Sequence, residues 1–443
     1  MDKKWEDMTK EERREVRFKR WHDAEEVKFN SPEAKKTYQE RVTRLSNALL
    51  LKEPDRVPVS LPSGNFPAYY AGGNLHKVMY DYQALKQSWL KFLRDFEMDS
   101  YMGPNLVHSG KVLEMVDYNL YKWPGHGLDE NVNSYQFIED IYMQPDEYDA
   151  LINDPSDFVL RKMIPRTIGA LKAFKKLPRL STLTGMPVRF IAAATDPEIR
   201  AAFQAIIDAG KEMELWQKAV TECNEEAKAM GYPSTRGGMG VAPFDSIADS
   251  LRATQGAVID MYRQPDKLHE AMEKIAARTI KQAIETANDS GGIMVSFPLH
   301  KGDDTFMSDE QFEVFYWPTL KKVILAIIEE GLMVMCFAEG RYNRRLDALA
   351  ELPKGWTMWQ FDQTDMTEVK RKLGNVCCIS GNVPASLMVT GTPREVKEYC
   401  RWLIETCGKG GGYILSGGCS ATEGKAENFH IMMEAAKDYG VYK

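Results

Sequence analysis

The sequence predicts an α/β fold, a (β/α)8 TIM barrel carrying an N-terminal helical extension. About eight apolar runs of strand length recur at roughly 30–40-residue intervals, each followed by a loop and a helical pattern, the signature of parallel α/β structure. The ends of those runs carry reactive side chains, as barrel strand ends do. No Gly-rich phosphate fingerprint supports a doubly wound sheet instead, because Gly408–Gly412 precedes a strand rather than following one.

At 443 residues, 44% of them hydrophobic, the chain can bury a large single core, and barrels of this length run as one domain. We expect a helical arm over 1–50 and the barrel over 51–443. The net charge of −7, without a dense Lys/Arg stripe beyond the N-terminus, argues against nucleic acid. No apolar run is long enough to span a membrane, and the charged start is unlike a signal peptide, so the expectation is a soluble, cytoplasmic protein. Seven cysteines, an odd number scattered through helices and strands, do not form a disulfide framework. Only Cys419 lies on a Gly-rich loop where a thiol is accessible.

In the arm, Trp5, Val16, Phe18 and Trp21 recur at helical spacing, and Ser31-Pro32 reads as a cap followed by proline in the first turn. These helices either embrace the barrel or serve a homodimer, or present a solvated charged face. Arg56–Leu61 is the first strand, running into the aromatic loop PSGNFPAYYAGG, and Met98–Met102 is the second. Residues 103–145 are irregular and long for a loop, which suggests a lid over the barrel mouth. Helices follow over 148–174 and 196–230, then a strand over 235–242. Helix 271–288 leads into strand 293–300, and Ser308 with Gln311 marks a capping box. Strand Met333–Phe337, helix 343–351, strand 357–362, helix 365–373, strand 376–380, helix 393–407, strand 412–416 and helix 426–438 complete the repeat.

Candidate chemistry lies in VMCFAEGRYN at 334–343 and GGGYILSGGC at 410–419. Glu339 and Cys419 end these strands and His300 ends a third, the donor types of one divalent metal site. Asp303 or Asp304 is then the natural carboxylate to orient His300. Against this, Glu339 has Arg341, Arg344 and Arg345 nearby as ion-pair partners, and His300 is equally able to bond a loop carbonyl. Phe66, Tyr69, Tyr70, Tyr101 and Trp123 are candidates to line a flat apolar substrate pocket. Asp362 and Asp365 read as helix caps, with Asp365 also a candidate catalytic carboxylate facing the mouth, and Asn382 is a candidate substrate contact.

The segment ISGNVPASLMVTGTPREVKEYCRWLIETCGKGGGYILSGGC, then KAENFHIMMEAAKDYG, with DQTD at 362–365, resembles the uroporphyrinogen decarboxylase superfamily. That resemblance covers roughly residues 45–443 and implies a (β/α)8 barrel. Decarboxylases of the family carry an arginine-bearing Met-Arg-Gln-Ala-Gly-Arg segment after the first strand; LPSGNFPAYYAGG here has no arginine. The other branch, corrinoid-dependent methyltransferases, holds zinc through His-x-Cys-Gly and a final-strand cysteine. The first motif falls on Phe337-Ala338-Glu339-Gly340, while the last cysteine stands as Cys419. Replacing a thiolate by a carboxylate leaves zinc more Lewis-acidic. The resemblance therefore implies a zinc-assisted O-demethylating methyltransferase with Glu339 as a catalytic ligand, and mouth contacts from Arg236 and Asp245. It would take methyl from a small methoxylated substrate, aromatic in preference to a methylamine or betaine. No Asp-x-His-x-x-Gly motif is present, so cobalamin is expected on a separate corrinoid protein. A decarboxylase-like lyase and a non-catalytic binding barrel are the competing readings.

Overall fold

The computed structural model describes residues 3–180 and 188–442, with the Arg236 side chain outside the described residues. Its centre is a parallel sheet in sequential order: β1 Arg236–Met239, β2 Met294–Leu299, β3 Met333–Ala338, β4 Thr357–Phe361, β5 Cys378–Val383 and β6 Tyr413–Gly417. The register runs without offset through the middle, Met294 opposite Met333 and Leu299 opposite Ala338. Strands β4, β5 and β6 are buried at every position, as expected where helices cover the outside of a sheet and side chains fill the inside.

Two further stave positions close the ring with single hydrogen bonds instead of ladders. Val59 bridges Leu415 in parallel, with Leu415 N donating to Pro58 O at 2.9 Å and Ser60 N to Leu415 O at 3.0 Å. Asp99 N then donates to Val59 O at 2.9 Å, and Tyr101 N to Pro233 O at 3.0 Å. The segments expected as the first two strands therefore occupy strand positions without forming regular strands. Pro58 and Pro62 explain part of this, since proline has no N–H to give a ladder. The Asp99 carboxylate holds the place instead: it accepts from Val59 N at 2.8 Å, Arg56 Nη1 at 2.8 Å and Arg44 Nη1 at 2.6 Å.

The arm consists of the helices Lys10–Asp23 and Pro32–Leu49, capped by Thr9 and Ser31. Arg13 reaches Glu330 at 2.9 Å, Arg14 donates to Gly355 O at 2.8 Å and stacks over Trp356, and Arg17 donates to Asn288 at 2.7 Å. Glu330 and Gly355 immediately precede β3 and β4, so the first helix covers the N-terminal face of its own barrel.

The span expected as one helix over 148–174 is instead three helical runs, 148–153, 155–167 with a π segment Val159–Met163, and 169–176, interrupted at Asp154 before Pro155 and at Ile168. The next helix, Pro197–Ala229, is continuous over 33 residues. Residues 103–145 fold into short helices and a small sheet in which Tyr121 and Lys122 pair with Phe137 and Gln136. Among the described residues no helix is long and apolar enough to cross a membrane.

Candidate active site

The C-terminal ends of β2, β3 and β6 and the helix Pro243–Ser250 after β1 bring the candidate groups to one mouth. Asp245 is fully buried on that helix and accepts from His300 N at 2.9 Å, Lys301 N at 3.1 Å and the Tyr316 hydroxyl at 2.9 Å. Burial, then the neighbouring Asp249, pushes its carboxyl up to about 7. One turn on, Asp249 meets His300 Nδ1 at 2.6 Å and Lys301 Nζ at 3.4 Å. The other ring nitrogen, Nε2, lies 3.6 Å from Glu339 Oε1. The bond to Asp249 pushes the imidazole up to about 9, with Glu339 and Asp245 adding to the effect against burial. His300 is therefore an imidazolium at neutral pH in the metal-free protein.

Burial raises the Glu339 carboxyl, with His300 opposing and Asp362 and Asp249 reinforcing the shift. The Cys419 thiol, half-buried, is raised by burial and then by Asp362 and Glu339, which places it on the same acidic wall. Two clefts open here. One of 530 Å³ is lined by His300, Lys301, Phe306 and Glu339; its neighbour, of 920 Å³, by Asp362, Asn382, Tyr399 and Cys419. Arg341 and Gln363 line both. Gly340 between them has φ +82°, and a Cβ there would come within 2.3 Å of Asp303 Oδ2, so only glycine fits.

The expected ligands assemble in part. His300 and Glu339 converge, and a tied Nδ1 with Nε2 facing a second carboxylate is the arrangement metal-binding histidines use. Among the described residues, the one group of three donor atoms within 4.8 Å of one another is Asp245, Asp249 and His300. Glu339 and Cys419 both lie outside that group, so the expected set of His300, Glu339 and Cys419 does not close to within 4.8 Å, and the donors that do are two carboxylates and an imidazole, a set suited to a hard or borderline divalent ion. Asp303 and Asp304, expected to orient His300, are spent elsewhere: Asp303 accepts from Arg341 N and Thr305 N, and Asp304 accepts from Arg344 N. The orienting carboxylate is Asp249. Arg344 and Arg345 bind Asp309, leaving Glu339 to pair with His300.

Of the other expected site residues, Asp365 and Asn382 line the larger cleft and the aromatic ones lie elsewhere. Asp365 is exposed, caps the helix Met366–Leu373 by accepting from Thr367 N at 2.8 Å, and lines the larger of the two clefts. Asn382 is buried and braces the loop after β4, donating to Asp362 O and Thr364 O at 3.0 Å each, while its Oδ1 accepts from Tyr399. Phe66 is fully buried among Phe92, Phe96 and Phe429, with the last ring centroid 4.1 Å away, so it offers no face to a ligand. The Tyr70 hydroxyl donates to Asp95. Tyr69 is exposed beside Asn74 and Glu423. Tyr101 turns toward Asn224 and Cys223, in a cleft shared with Trp21. Trp123 is buried, stacked on His126 and donating to the Tyr80 hydroxyl at 3.0 Å. A single pocket from the first loop does not form. Asp249 and Lys301 were not legible as site groups, although Asp245 and Asp249, four apart in a helix directly after a strand, share one face.

The family model described as Uroporphyrinogen decarboxylase (URO-D) matches residues 180–439. The uroporphyrinogen decarboxylase of Klebsiella pneumoniae is 25% identical over 166 residues, 35% of this chain and 44% of that protein. That of Escherichia coli is 24% identical over 165 residues, again 35% and 44%. The match thus spans less than half the length of these curated relatives. A methyltransferase from Methanosarcina mazei shares the fold, with a TM-score of 0.56 at 13% identity over 90% of this chain and 98% of that one. With the family model covering more than half of its length, this chain belongs to the uroporphyrinogen decarboxylase (URO-D) family.

Proposed function

We propose that this protein is a methyltransferase that takes a methyl group from a small methoxylated aromatic compound and delivers it to the cobalt of a corrinoid carried by a separate protein. The observation that carries this reading is the His300–Glu339 pair, 3.6 Å apart at adjacent strand ends, with Asp249 locked onto the far side of the imidazole. The charge of the mouth supports it. Asp249, Glu339 and Asp362 stand there beside His300, Lys301 and Arg341, a mixed set of charges with no cluster of cations to hold a polycarboxylate substrate. That, with the arginine-free first loop, disfavours a decarboxylase of the uroporphyrinogen type.

Methyl transfer from an ether leaves both bonding electrons on oxygen, and the reduced cobalt of the partner supplies the pair that forms the new bond. The departing oxygen needs a proton or a cation. His300 offers the proton at Nε2, facing the cleft, and Asp249 stabilises the charged ring and fixes its orientation. Glu339 Oε1 faces the same nitrogen at ion-pair distance, 3.6 Å. A zinc ion bound at His300 and Glu339, with Cys419 drawn in, would supply Lewis acidity at that oxygen in place of the proton.

The test combines elemental analysis with methylcobalamin formation from cob(I)alamin and 2-methoxyphenol. We expect about one zinc per chain and loss of about 10²-fold or more in turnover for Glu339→Gln, with the fold intact. Unchanged turnover in that variant would remove the assignment of the site.

A further inference from the structure

We propose that the larger cleft at the mouth holds a cation subsite, in which Asp362 and the ring pair Tyr399–Trp402 take the ammonium group of a methoxylated aromatic amine. This rests on the methyl-transfer reading above and adds to it the charge that the substrate carries at the end remote from its methyl group.

The other carboxylates of the mouth are committed. Asp249 pairs with His300 and Lys301, and Glu339 with His300. Asp245 accepts from two backbone N–H groups and the Tyr316 hydroxyl. Asp303 accepts from Arg341 N and Thr305 N, and Asp304 pairs with Arg345 at 3.5 Å. Asp362 differs. It accepts from Gly340 N and from Gln363 Nε2, both at 3.3 Å, long for such bonds, and it forms no ion pair among the described residues. A partly buried carboxylate in that state is poorly screened by water and gains from any cation that reaches it.

Two glycines seat this carboxylate where the clefts meet. Gly340 N holds Oδ2, and a Cβ on Gly418 would lie 3.1 Å from Oδ1. Gly340 follows Glu339 and Gly418 precedes Cys419, so Asp362 stands between the ends of β3 and β6. It lines the 920 Å³ cleft, which shares Arg341 and Gln363 with the smaller cleft of His300 and Glu339. The same larger cleft is lined by Tyr399 and Trp402 of the helix Pro393–Leu403, with ring centroids 5.4 Å apart at 52°. The Tyr399 hydroxyl donates to Asn382 Oδ1 and Asn382 Nδ2 donates to Asp362 O, both at 3.0 Å, which ties the ring to the residue that bears the carboxylate. Trp402 is 41% exposed, so its indole is open to an incoming group.

The make-up of the cleft decides the charge of its occupant. Among its described lining residues Arg341 is the one cation; it is exposed and forms no ion pair with Asp362 or Asp365. A carboxylate beside two aromatic rings attracts a cation twice over, by charge-assisted hydrogen bonding and through the ring faces. An anionic substituent would meet Asp362 without a cluster of cations to hold it, and an uncharged one would leave the carboxylate unpaired. An ether oxygen at His300 in the smaller cleft and an ammonium group at Asp362 in the larger one together fix the orientation of the ring between them.

The test is calorimetric binding at pH 7 of 2-(4-methoxyphenyl)ethylamine, protonated at that pH, and of its uncharged counterpart 1-methoxy-4-propylbenzene. Both are measured on the parent protein and on Asp362→Asn and Trp402→Ala, with thermal unfolding to confirm each fold. The amine should bind the parent about tenfold or more tightly than the propyl compound. Asp362→Asn should raise the Kd of the amine by about tenfold or more, and Trp402→Ala by about threefold, while the Kd of the propyl compound moves less than about twofold in Asp362→Asn. Equal binding of the two ligands by the parent, or an amine Kd unmoved in both variants, overturns the cation subsite. Methylcobalamin formation from cob(I)alamin separates the subsite from the reading on which it rests. Transfer from the uncharged ether as fast as from the amine overturns the subsite and leaves methyl transfer standing. Tight, Asp362-dependent binding of the amine with no transfer from either ether leaves the subsite standing and overturns the methyl-transfer reading.

Discussion

His300 is a single residue on which two different partners act, and its proton is the most accessible reporter of the site. With its pKa raised to about 9, an ion binding at Nε2 must displace that proton. Metal affinity should therefore rise by about tenfold per pH unit from 7 toward 9 and level off above. The sign for stability is the reverse. A folded-state value above the unfolded one, about 6.5, means that the proton's contribution is complete below that pH and is lost as pH rises through about 9. Removing the largest cause with Asp249→Asn should lower the imidazole midpoint by about one unit or more, read by NMR titration of the metal-free protein. An unshifted midpoint would show that Asp249 does not set the state of His300. Sequence reading singled out His300, Glu339 and Cys419 because each ends an apolar run, where a barrel exposes its side chains; the structure brings His300 and Glu339 to 3.6 Å. It missed Asp249 because a carboxylate on a surface-length helix looks like any solvated residue until the helix is placed.

At the scale of elements, the repeat of strand and helix was legible, and the places where it failed have local causes. The segments 56–61 and 98–102 were read as strands from apolar alternation, yet the bonds they make are single bridges. Alternation reports which face is buried; it does not report whether Pro58 and Pro62 leave enough donors for a ladder. The aromatic loop was legible as a cluster of rings, but composition cannot say whether a ring packs inward, as Phe66 does, or toward a ligand. Asp99 compensates for the missing ladder: almost fully buried, it joins Arg44, Arg56 and the backbone of Val59. Removing one member of such a buried network strands the other charges, so Asp99→Ala should cost about 3–5 kcal/mol in urea denaturation. A loss below about 1 kcal/mol would mean that the staves close by packing alone.

Across the whole molecule, stability and chemistry occupy opposite faces of the barrel. The mouth sits at the C-terminal ends of the strands, whereas the arm spends its arginines on the N-terminal ends, where barrels place stabilising contacts. The helices of residues 1–50 were expected to embrace the barrel or a second subunit, or to present a solvated face; the first of these is observed, with Arg14 and Arg17 laying apolar stems and a flat cation over Trp356 and Trp5. Arg17 is the most committed of them. It is buried, burial pushes its pKa down to about 10, and it donates to Asn288 Oδ1 and Glu330 O. Arg17→Ala should remove these contacts together and lower stability by about 2–4 kcal/mol, seen as an earlier urea midpoint. Turnover per folded molecule at 25 °C should stay within about twofold of the parent, because no contact of Arg17 reaches His300 or Glu339. A fall in turnover without loss of stability would show that the two faces are coupled through the strands, and the separation of scaffold from chemistry would have to be abandoned.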